Sequence, residues 1–492
     1  MTDLYDLLVV GAGPIGLSTA LLARRRGLRP LVIDRGTIAN HLLDFPLGMP
    51  FFGPAHSLEL AGIPLDIGHK HATREDLLSY YGRLARLAEL EVHRDRRLDR
   101  LEGRDGDFTA IACAGDGRTV AYRCRKVVLA TGVFGRPRRL PELPGVDLPK
   151  VGYLYREPYS YIGKDVLLVG AGNSSAGAAL ALHHAGARVT VLDRNAAIPP
   201  TKWRWYMEDL QQLVHRGEIT LLRRATLERI EPDAVWVNIA GERVRLANDA
   251  VLVQLGYEPD APLFDRLGIG FDPATKMPRI DVHSFETDVR GVYLAGIVCA
   301  GTSPDLIFVW GARNHPRVIL AHILGEPPPP QLRDLGRTTV AHWVQFEYLS
   351  DDIDEALALR MVPVVAGEIR DDVFDVYEYA THTTSLYTDG PRAELTSTER
   401  WKVGPVLDAL GGWLVQRNAD GSGVYKGQTL SANAFEILRL CDGTRRISGV
   451  VEALAAQYEQ SEDELRGPVL KLILSLLYTG RLHWRATPAA AT

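Results

Sequence analysis

The feature that most restricts the fold of this chain is a pattern that occurs twice. An apolar run, Tyr5–Val10, leads into the turn Gly11–Gly16 (Gly-Ala-Gly-Pro-Ile-Gly), an Ala/Leu-rich segment, and a second apolar run that ends at Asp34. The same order returns later, with Gly170–Ser175 as the turn and Asp193 as the closing acid. A strand, a glycine-rich turn, a helix and a strand that ends in an acid form a dinucleotide-binding βαβ unit. The sequence therefore predicts an α/β protein with two Rossmann-like domains.

The residue types within these turns suit contacts with phosphate. Glycines permit a tight bend and bring backbone N–H groups close to a pyrophosphate, and proline is well tolerated at the first helical position. Two dinucleotides in one chain are usually a flavin and a nicotinamide, because a flavin accepts a hydride and passes electrons onward. The predicted contacts are Gly11, Gly13, Pro14, Gly16 and Asp34 in the first unit, and Gly170, Gly172, Asn173, Ser174, Ser175 and Asp193 in the second.

The residues after the second unit leave the choice of nicotinamide open. Asp193 favours the ribose hydroxyl of NADH, whereas Arg194 and Lys202 favour the 2′-phosphate of NADPH.

Composition removes several classes of function. The chain has 492 residues and a formal net charge of −5, which argues against nucleic-acid binding by phosphate neutralisation alone. Its four cysteines include no C-x-x-C pair, which excludes a thioredoxin-like dithiol within the chain. We identify no signal peptide, no run of ~18 apolar residues and no metal-binding motif, so we expect a cytoplasmic protein without a membrane span or a metal.

Several further short segments follow the order and spacing of motifs in a known superfamily. They are Asn40 followed by Pro46 and Met49–Phe52, then Ala130–Gly132, Arg216–Ile219, and Ala295–Gly301 followed by Ile307, Phe308 and Arg313. With both turns, they make residues 1–326 resemble the two-dinucleotide flavoprotein disulfide reductases, within them the thioredoxin-reductase-like group called bacillithiol disulfide reductases. The resemblance implies FAD at the first turn and NADPH, with NADH as the alternative, at the second. The FAD contacts it adds are Arg35, Asn40, Ala130, Thr131, Gly132, Gly296, Ile297 and Arg313.

The candidates for chemistry follow from a departure from this family. Its members commonly carry a cysteine inside the first turn, where this chain has Ile15. Cys299 is then the one cysteine near the expected flavin, and it is either a redox thiol or a small buried apolar residue. His41 and His315 are candidates for proton transfer near the flavin, and the alternative for each is a structural role.

The C-terminal residues resemble a second family. The segments Leu430–Gly443, Ile447–Ala455 and Leu470–Leu477 make residues 400–485 resemble a PqqD-like domain, a small α+β winged-helix-like fold with three helices. Ser461 and Glu464 predict a capping box for the third helix, and Pro468 predicts a kink or a later start. The resemblance implies that a leader or carrier peptide adds a strand to the domain's sheet. The alternative is a module that only dimerises.

The predicted domains follow from these boundaries. The run Pro327–Pro330 favours stiff polyproline II and separates the catalytic body from the C-terminal extension. Because both turns precede this run, a chain cut near Pro330 is expected to keep its FAD. The domains are an FAD-binding domain at 1–150 and 286–326, an NAD(P)H-binding domain at 151–285, a Pro-rich linker with an unassigned β-containing segment at 327–399, and a PqqD-like domain at 400–485.

The sequence thus predicts an NAD(P)H-dependent FAD oxidoreductase without an internal dithiol. We expect it to be a homodimer that acts on a small-molecule or peptide-borne substrate in the biosynthesis of a ribosomal peptide natural product, with neither nucleic acid nor membrane as a partner. Three alternatives stay open: a low-molecular-weight disulfide reductase with a dimerising module, a flavin monooxygenase or oxidase, and a non-catalytic FAD-binding protein.

Overall fold

The chain folds as two units. The computed structural model describes residues 4–51, 53, 55–67, 71–140, 142–198, 207–303, 307, 309–327, 354–365, 368–370, 414–417, 423–425, 428–430, 432–478 and 482–489. The units are Met1–Ser57 with His71–Gly82 and Leu90–Tyr348, and Leu58–Lys70 with Arg83–Glu89 and Leu349–Thr492. Two short segments of the N-terminal half therefore belong to the C-terminal unit, which the predicted domain boundaries do not anticipate.

The first 300 residues combine βαβ units with two runs of consecutive strands. The helices are α1 (Pro14–Arg25), α2 (Arg74–Leu87), α3 (Asn173–His184), α4 (Met207–His215), α5 (Ala261–Leu267), α6 (Val309–Ala312), α7 (His315–Leu324), α8 (Glu355–Ala358), α9 (Ala432–Arg439), α10 (Ile447–Tyr458) and α11 (Glu462–Tyr478). Short 3₁₀ helices span Asn40–Asp44, Ala55–Leu58, Tyr159–Tyr161 and Ile297–Ala300. None of the described helices is long and apolar enough to cross a membrane.

The described strands form five sheets. They are β1 (Leu4–Val10), β2 (Pro30–Ile33), β3 (Val92–His93), β4 (Arg96–Arg104), β5 (Asp107–Ala114), β6 (Thr119–Leu129), β7 (Val151–Gly152), β8 (Asp165–Val169), β9 (Arg188–Leu192), β10 (Ile219–Leu222), β11 (Ala225–Ile230), β12 (Ala234–Ile239), β13 (Glu242–Ala247), β14 (Ala250–Val253), β15 (Val292–Leu294), β16 (Val362–Val365), β17 (Glu368–Arg370), β18 (Leu414–Arg417), β19 (Gly423–Tyr425), β20 (Gln428–Leu430) and β21 (Leu482–Arg485).

A seven-stranded sheet carries the first glycine-rich turn. Its order is β3-β2-β1-β6-β5-β4, and β15 pairs with β6. The pairs of β1 with β2 and with β6 are parallel, as are β2 with β3 and β6 with β15, whereas β4, β5 and β6 form an antiparallel meander. Leu7–Val10 and Leu31–Ile33 are buried throughout, as expected for parallel strands covered on both faces. The strand order reverses at β1, so a dinucleotide site is expected at its carboxyl end.

A five-stranded parallel sheet carries the second turn. Its order is β10-β9-β8-β14-β7, and it reverses in the same way at β8. Apolar residues of α3 and α4 pack on one face, and the antiparallel sheet β11-β12-β13 packs on the other. Both predicted βαβ units are confirmed, and each closes with its acid directly after the second strand.

The C-terminal unit contains the three predicted helices, α9 to α11. Its four-stranded sheet has the order β17-β18-β19-β20, with β17 parallel to β18 and the other pairs antiparallel. The backbone N–H of Glu464 donates to the Ser461 Oγ at 3.3 Å, as one half of the capping box requires. Pro468 lies inside α11, so the later helix start is wrong. Residues 328–353 and 371–399 of the predicted linker lie outside the described residues.

A buried cluster around Trp484 fixes β21 within the C-terminal unit. Trp484 is 1 % exposed, its backbone N–H donates to the Asp66 Oδ2 at 2.9 Å, and its indole donates to the Pro64 carbonyl at 3.0 Å. The Arg83 guanidinium donates to the Asp66 Oδ1 at 2.9 Å and to the Trp484 carbonyl at 2.7 Å. It also lies 4.6 Å from the Trp484 ring centroid, a cation–π distance. These contacts bind the last strand of the unit to a segment that precedes it by 418 positions.

Candidate functional site

The first turn uses three glycines for different purposes. Gly11 has φ +113°, and a Cβ there would lie 2.4 Å from the Ala130 carbonyl oxygen. A Cβ on Gly16 would lie 1.8 Å from the Gly11 carbonyl oxygen. A Cβ on Gly13, in contrast, would meet no atom within 4 Å. Gly11 and Gly16 are therefore required by the packing of the protein itself, whereas Gly13 borders open space where a ligand can approach the backbone.

Asp34 ties this turn to the loop that follows β2. Its Oδ2 accepts from the backbone N–H of Ala12 and its Oδ1 from that of Gly36, both at 2.8 Å. Pro14 is the first residue of α1, and the N-cap residue Gly13 provides no side-chain cap. The start of α1 thus has the uncapped N–H groups and the positive dipole end that bind an anion.

Three loops that contain predicted site residues meet beside the turn. A Cβ on Gly132 would lie 3.7 Å from the Ile297 Cγ2 and 3.8 Å from the His41 Nδ1. The Oγ1 of Thr131 is buried and has no hydrogen-bond partner among the described residues. Such an atom costs free energy unless a ligand or water pairs with it. The Asn40 Oδ1, predicted to contact the cofactor, accepts from the Thr37 backbone N–H at 3.2 Å and so holds its own loop.

A cavity at this point has a charged lining that the sequence analysis missed in part. It is bordered by His41 and Gly135, by the acids Asp34, Glu258 and Asp260, and by the arginines Arg35, Arg96, Arg97 and Arg136. Arg136 pairs with Asp260 at 3.0 Å, and the guanidinium groups of the other three arginines suit the phosphates of a dinucleotide. The arginine-rich stretch at 94–97 was a visible signal for two of these residues. Gly135 gave no signal, because its importance depends on side chains that reach it from other loops.

The far side of the turn is closed by β15 and α7. A Cβ on Gly296 would lie 3.3 Å from the Ile15 side chain, and the Gly296 N–H donates to the His315 Nδ1 at 3.1 Å. His315 is fully buried and stacks on Phe285 with ring centroids 4.2 Å apart. Ile15 therefore occupies, as an apolar side chain, the position in the turn that faces Gly296.

Burial shapes the chemistry of the three predicted catalytic residues. It lowers the pKa of His315 to about 3, and it lowers the pKa of His41, with the nearby Arg35 as the second cause. Burial also raises the pKa of the Cys299 thiol. At neutral pH both imidazoles are uncharged and the thiol keeps its proton, which disfavours an acid role for the histidines and a nucleophilic role for the cysteine. Catalytic roles for these residues stay predictions.

Arg313 is also deeply placed. It is 2 % exposed and lies near Tyr81. Burial raises the pKa of Tyr81, and the charge of Arg313 offsets only part of that increase. Its predicted contact with the cofactor stays a prediction.

The second turn repeats the backbone plan of the first. Gly170 has φ +109°, and a Cβ there would lie 2.5 Å from the Gln254 carbonyl oxygen, whereas a Cβ on Gly172 would meet no atom within 4 Å. Asn173 and Ser174 open α3, whose N-cap residue is Gly172. Ser175 is 1 % exposed, and its Oγ has no hydrogen-bond partner among the described residues. The open space and the unpaired hydroxyl fit a second dinucleotide.

The acid of the second unit is arranged differently. The Oδ1 of Asp193 accepts from the backbone N–H and the Nδ2 of Asn195, at 3.1 and 2.9 Å. The next residue, Arg194, is exposed. Lys202, predicted to contact the 2′-phosphate, lies outside the described residues. In the part of the chain that the structure describes, no group of three or more His, Cys, Asp or Glu side chains is arranged to hold a metal ion.

Comparison with known families agrees with this geometry. Residues 8–296 match the family described as pyridine nucleotide-disulphide oxidoreductase, and residues 419–480 match coenzyme PQQ synthesis protein D. Both predicted resemblances are confirmed.

Individual relatives share the catalytic body. The bacilliredoxin reductase Bdr of Bacillus subtilis (strain 168) is 31% identical over 64% of this chain and 96% of its own length. A ferredoxin–NADP reductase of Ignicoccus hospitalis is 26% identical over 63% of this chain and 94% of its own. The solved bacillithiol disulfide reductase Bdr of Bacillus cereus aligns with a TM-score of 0.64 and 29% identity, over 66% of this chain and 99% of that one.

Fold, turns and relatives give one assignment. The predicted α/β class with two Rossmann-like domains is confirmed, as is the prediction of an oxidoreductase. The family uses a flavin and a nicotinamide, and both turns have the open space that such cofactors need. The chain belongs to the pyridine nucleotide-disulphide oxidoreductases, as a thioredoxin-reductase-like flavoprotein that carries a PqqD domain.

Proposed function

We propose that this protein transfers electrons from NADPH through FAD to a peptide-borne substrate that its PqqD domain recruits. The observation that supports this most directly is the presence of two dinucleotide turns and a PqqD domain in one chain. A tether raises the effective concentration of a bound peptide at the flavin.

FAD is assigned to the first turn and NADPH to the second. Bound FAD would accept a hydride from the nicotinamide and pass the electrons to the acceptor. The residues that would hold FAD are Gly13, Asp34 and Arg35 with the 131–132 and 296–297 loops. Those for NADPH are Gly172 and Ser175, with the exposed Arg194 at its 2′-phosphate. Asp193, whose Oδ1 accepts from Asn195, keeps NADH as the alternative, because a carboxylate can also accept from a ribose hydroxyl.

The acceptor takes its electrons without an internal dithiol. Among the described cysteines, Cys124, Cys299 and Cys441 are buried, and burial raises the pKa of each thiol. Ile15 supplies no thiol inside the first turn. The chain's own residues therefore bind and orient the two cofactors and leave the reduced flavin to meet the acceptor directly.

The described four-stranded sheet of the C-terminal unit has two edge strands, β17 and β20. The edge considered for a peptide is β20, because it lies within residues 419–480, which match PqqD, whereas β17 lies outside them. Tyr425 pairs with Gln428 across two intervening residues, which makes them a hydrogen-bonded pair of the antiparallel ladder. The next pair, Val424 and Thr429, is then a non-hydrogen-bonded pair, so the N–H of Thr429 faces away from β19. A peptide that adds along β20 would accept a hydrogen bond from it.

The test uses the full chain and a peptide encoded beside its gene. Thr429→Pro removes the outward N–H, whereas Thr429→Val keeps it. We expect the proline variant to lose peptide binding and peptide-dependent turnover while FAD content and NADPH-driven flavin reduction persist, and the valine variant to behave as the parent chain. Equal peptide affinity in both variants contradicts recruitment along β20.

A second candidate is a disulfide reductase of small thiols, which the similarity to bacilliredoxin reductase favours. It requires a cycling thiol, and Cys299 is the candidate. A thiol trap added during NADPH turnover with a disulfide substrate labels Cys299 in that case. No NADPH oxidation dependent on the disulfide substrate eliminates this candidate, and turnover without labelling removes Cys299 from it.

A further inference from the structure

Arg35 and His41 form a side-chain pair on the wall of the first cavity. The Arg35 Nη2 lies 2.7 Å from the His41 Nε2. A guanidinium has donors and no acceptor, so Nε2 must be the acceptor and the imidazole proton must reside on Nδ1. The lowered pKa of His41 agrees with this neutral form, since burial and Arg35 lower it while Asp34 and Asp44 act in the opposite direction.

The pair lies against a glycine that makes room for it. A Cβ on Gly135 would lie 1.8 Å from the Arg35 Nη2 and 2.5 Å from the His41 Nε2. Both distances are far below van der Waals contact, so any side chain at 135 displaces the pair. The φ of Gly135 is not in the left-handed region, so glycine serves the close approach of these two groups here rather than an unusual backbone conformation.

The first two residues of α2, Arg74 and Glu75, form hydrogen bonds with the loop that carries His41. The Arg74 Nε donates to the Leu42 carbonyl at 2.7 Å, and the Arg74 backbone N–H donates to the Met49 carbonyl at 3.0 Å. The Glu75 Oε2 accepts from the Gly48 N–H at 3.1 Å. Because these bonds fix the loop on the C-terminal side of His41, the contact with Arg35 forms at a reduced cost in conformational entropy.

We propose that His41 is a positioning residue for the cofactor, which accepts the Arg35 hydrogen bond and holds the guanidinium where the adenosine diphosphate half of FAD binds. This inference rests on the proposed assignment of FAD to the first turn. Asp34, directly before Arg35, stands at the end of β2, where a Rossmann acid meets the adenosine ribose. A fixed guanidinium beside it offers a planar cation to phosphate or adenine.

The test measures FAD affinity rather than turnover. Full-length chains are stripped of flavin and titrated with FAD by fluorescence. His41→Ala is expected to raise the FAD dissociation constant about 5- to 30-fold, because a hydrogen bond to a charged group is lost. His41→Gln, which retains an acceptor, is expected to restore most of the affinity. Arg35→Ala combined with His41→Ala is expected to bind as weakly as Arg35→Ala alone, because both residues act as one unit.

Gly135→Ala tests the pair without removing either group. Its Cβ displaces the guanidinium, so FAD affinity falls as it does for His41→Ala. Gly82→Ala, in α2 with no atom within 4 Å of its Cβ, is the matched control and keeps the parent affinity.

Two outcomes overturn the inference: unchanged FAD affinity in His41→Ala and Gly135→Ala, or additive losses in the double variant. A parent chain that binds no FAD is a separate result, since it overturns the proposed function and the inference together.

Discussion

The two glycine-rich turns share a backbone plan but differ in what surrounds it. In both, the first glycine has a positive φ and faces a carbonyl oxygen, and the glycine two positions later borders open space. Asp34, however, bonds back to its own turn through Ala12, whereas Asp193 bonds onward to Asn195. The first turn is thus bonded to its own closing acid, whereas in the second unit the acid bonds onward and the next residue, Arg194, is exposed. This contrast suits a resident flavin and a nicotinamide that comes and goes.

The comparison also separates two reasons for a glycine. Gly11, Gly16 and Gly170 make room for the protein's own backbone, whereas Gly13 and Gly172 make room for a ligand. One sequence motif therefore mixes residues needed for folding with residues needed for binding.

The largest expected effect is on stability. Gly11→Ala combines a strained φ with a clash against the Ala130 carbonyl, and should cost about 3 kcal/mol of unfolding free energy. Gly170→Ala should do the same in the second domain. Gly27→Ala is the control, because Gly27 has φ +77° but open space around its Cβ. Thermal unfolding of the full chains measures the difference, and equal melting of Gly11→Ala and Gly27→Ala refutes the clash.

The next effect separates the two ligands. Gly13→Val should fold normally, but its FAD dissociation constant should rise at least ~100-fold, because its side chain fills the space left for the pyrophosphate. Gly172→Val should stay yellow but lose reduction by NADPH. Absorbance spectra before and after NADPH addition distinguish the two. A fully yellow Gly13→Val protein contradicts the assignment of the first turn.

Low pH should lower the unfolding free energy of the domain that contains the first turn, because unfolding lets the buried His315 take up a proton. Its folded pKa of about 3 lies below the value near 6.5 of the unfolded chain, so stability is complete above pH 6.5 and falls as the pH drops toward 3. At pH 5 the loss is about 2 kcal/mol relative to pH 8. His315→Gln removes this dependence, because glutamine does not titrate. Unfolding by denaturant at the two pH values compares the variant with the parent chain, and identical pH slopes rule out the effect.

The smallest effect concerns the choice of nicotinamide. Arg194→Ala should raise KM for NADPH about tenfold, or about 1.4 kcal/mol, and leave KM for NADH unchanged. Arg188→Ala, at the other end of β9 and paired with Asp165, is the matched control. If Arg194→Ala leaves the ratio of the two KM values unchanged, Arg194 does not contact the 2′-phosphate.

The sequence predicted the structural features that depend on residues close together in the chain. The predicted strands and helices of both βαβ units lie within a residue or two of the observed ones, because apolar runs and glycine-rich turns act over short distances. The Arg35–His41 contact and its dependence on Gly135 could not be read this way, since three loops must first meet. Nor does any periodicity link Asp66 to Trp484, whose contact spans 418 positions.

That same contact bears on the expected behaviour of a cut chain and on the order of events during synthesis. A chain cut near Pro330 would lack the partners of Leu58–Lys70 and Arg83–Glu89, so the cut chain is not a neutral test of FAD binding. On the ribosome, Asp66 emerges 418 residues before Trp484, which at bacterial elongation rates is roughly 20–80 s. Throughout that interval Asp66 and Arg83 lack their contacts with Trp484. The two N-terminal segments of the C-terminal unit therefore complete their packing only after β21 has been made.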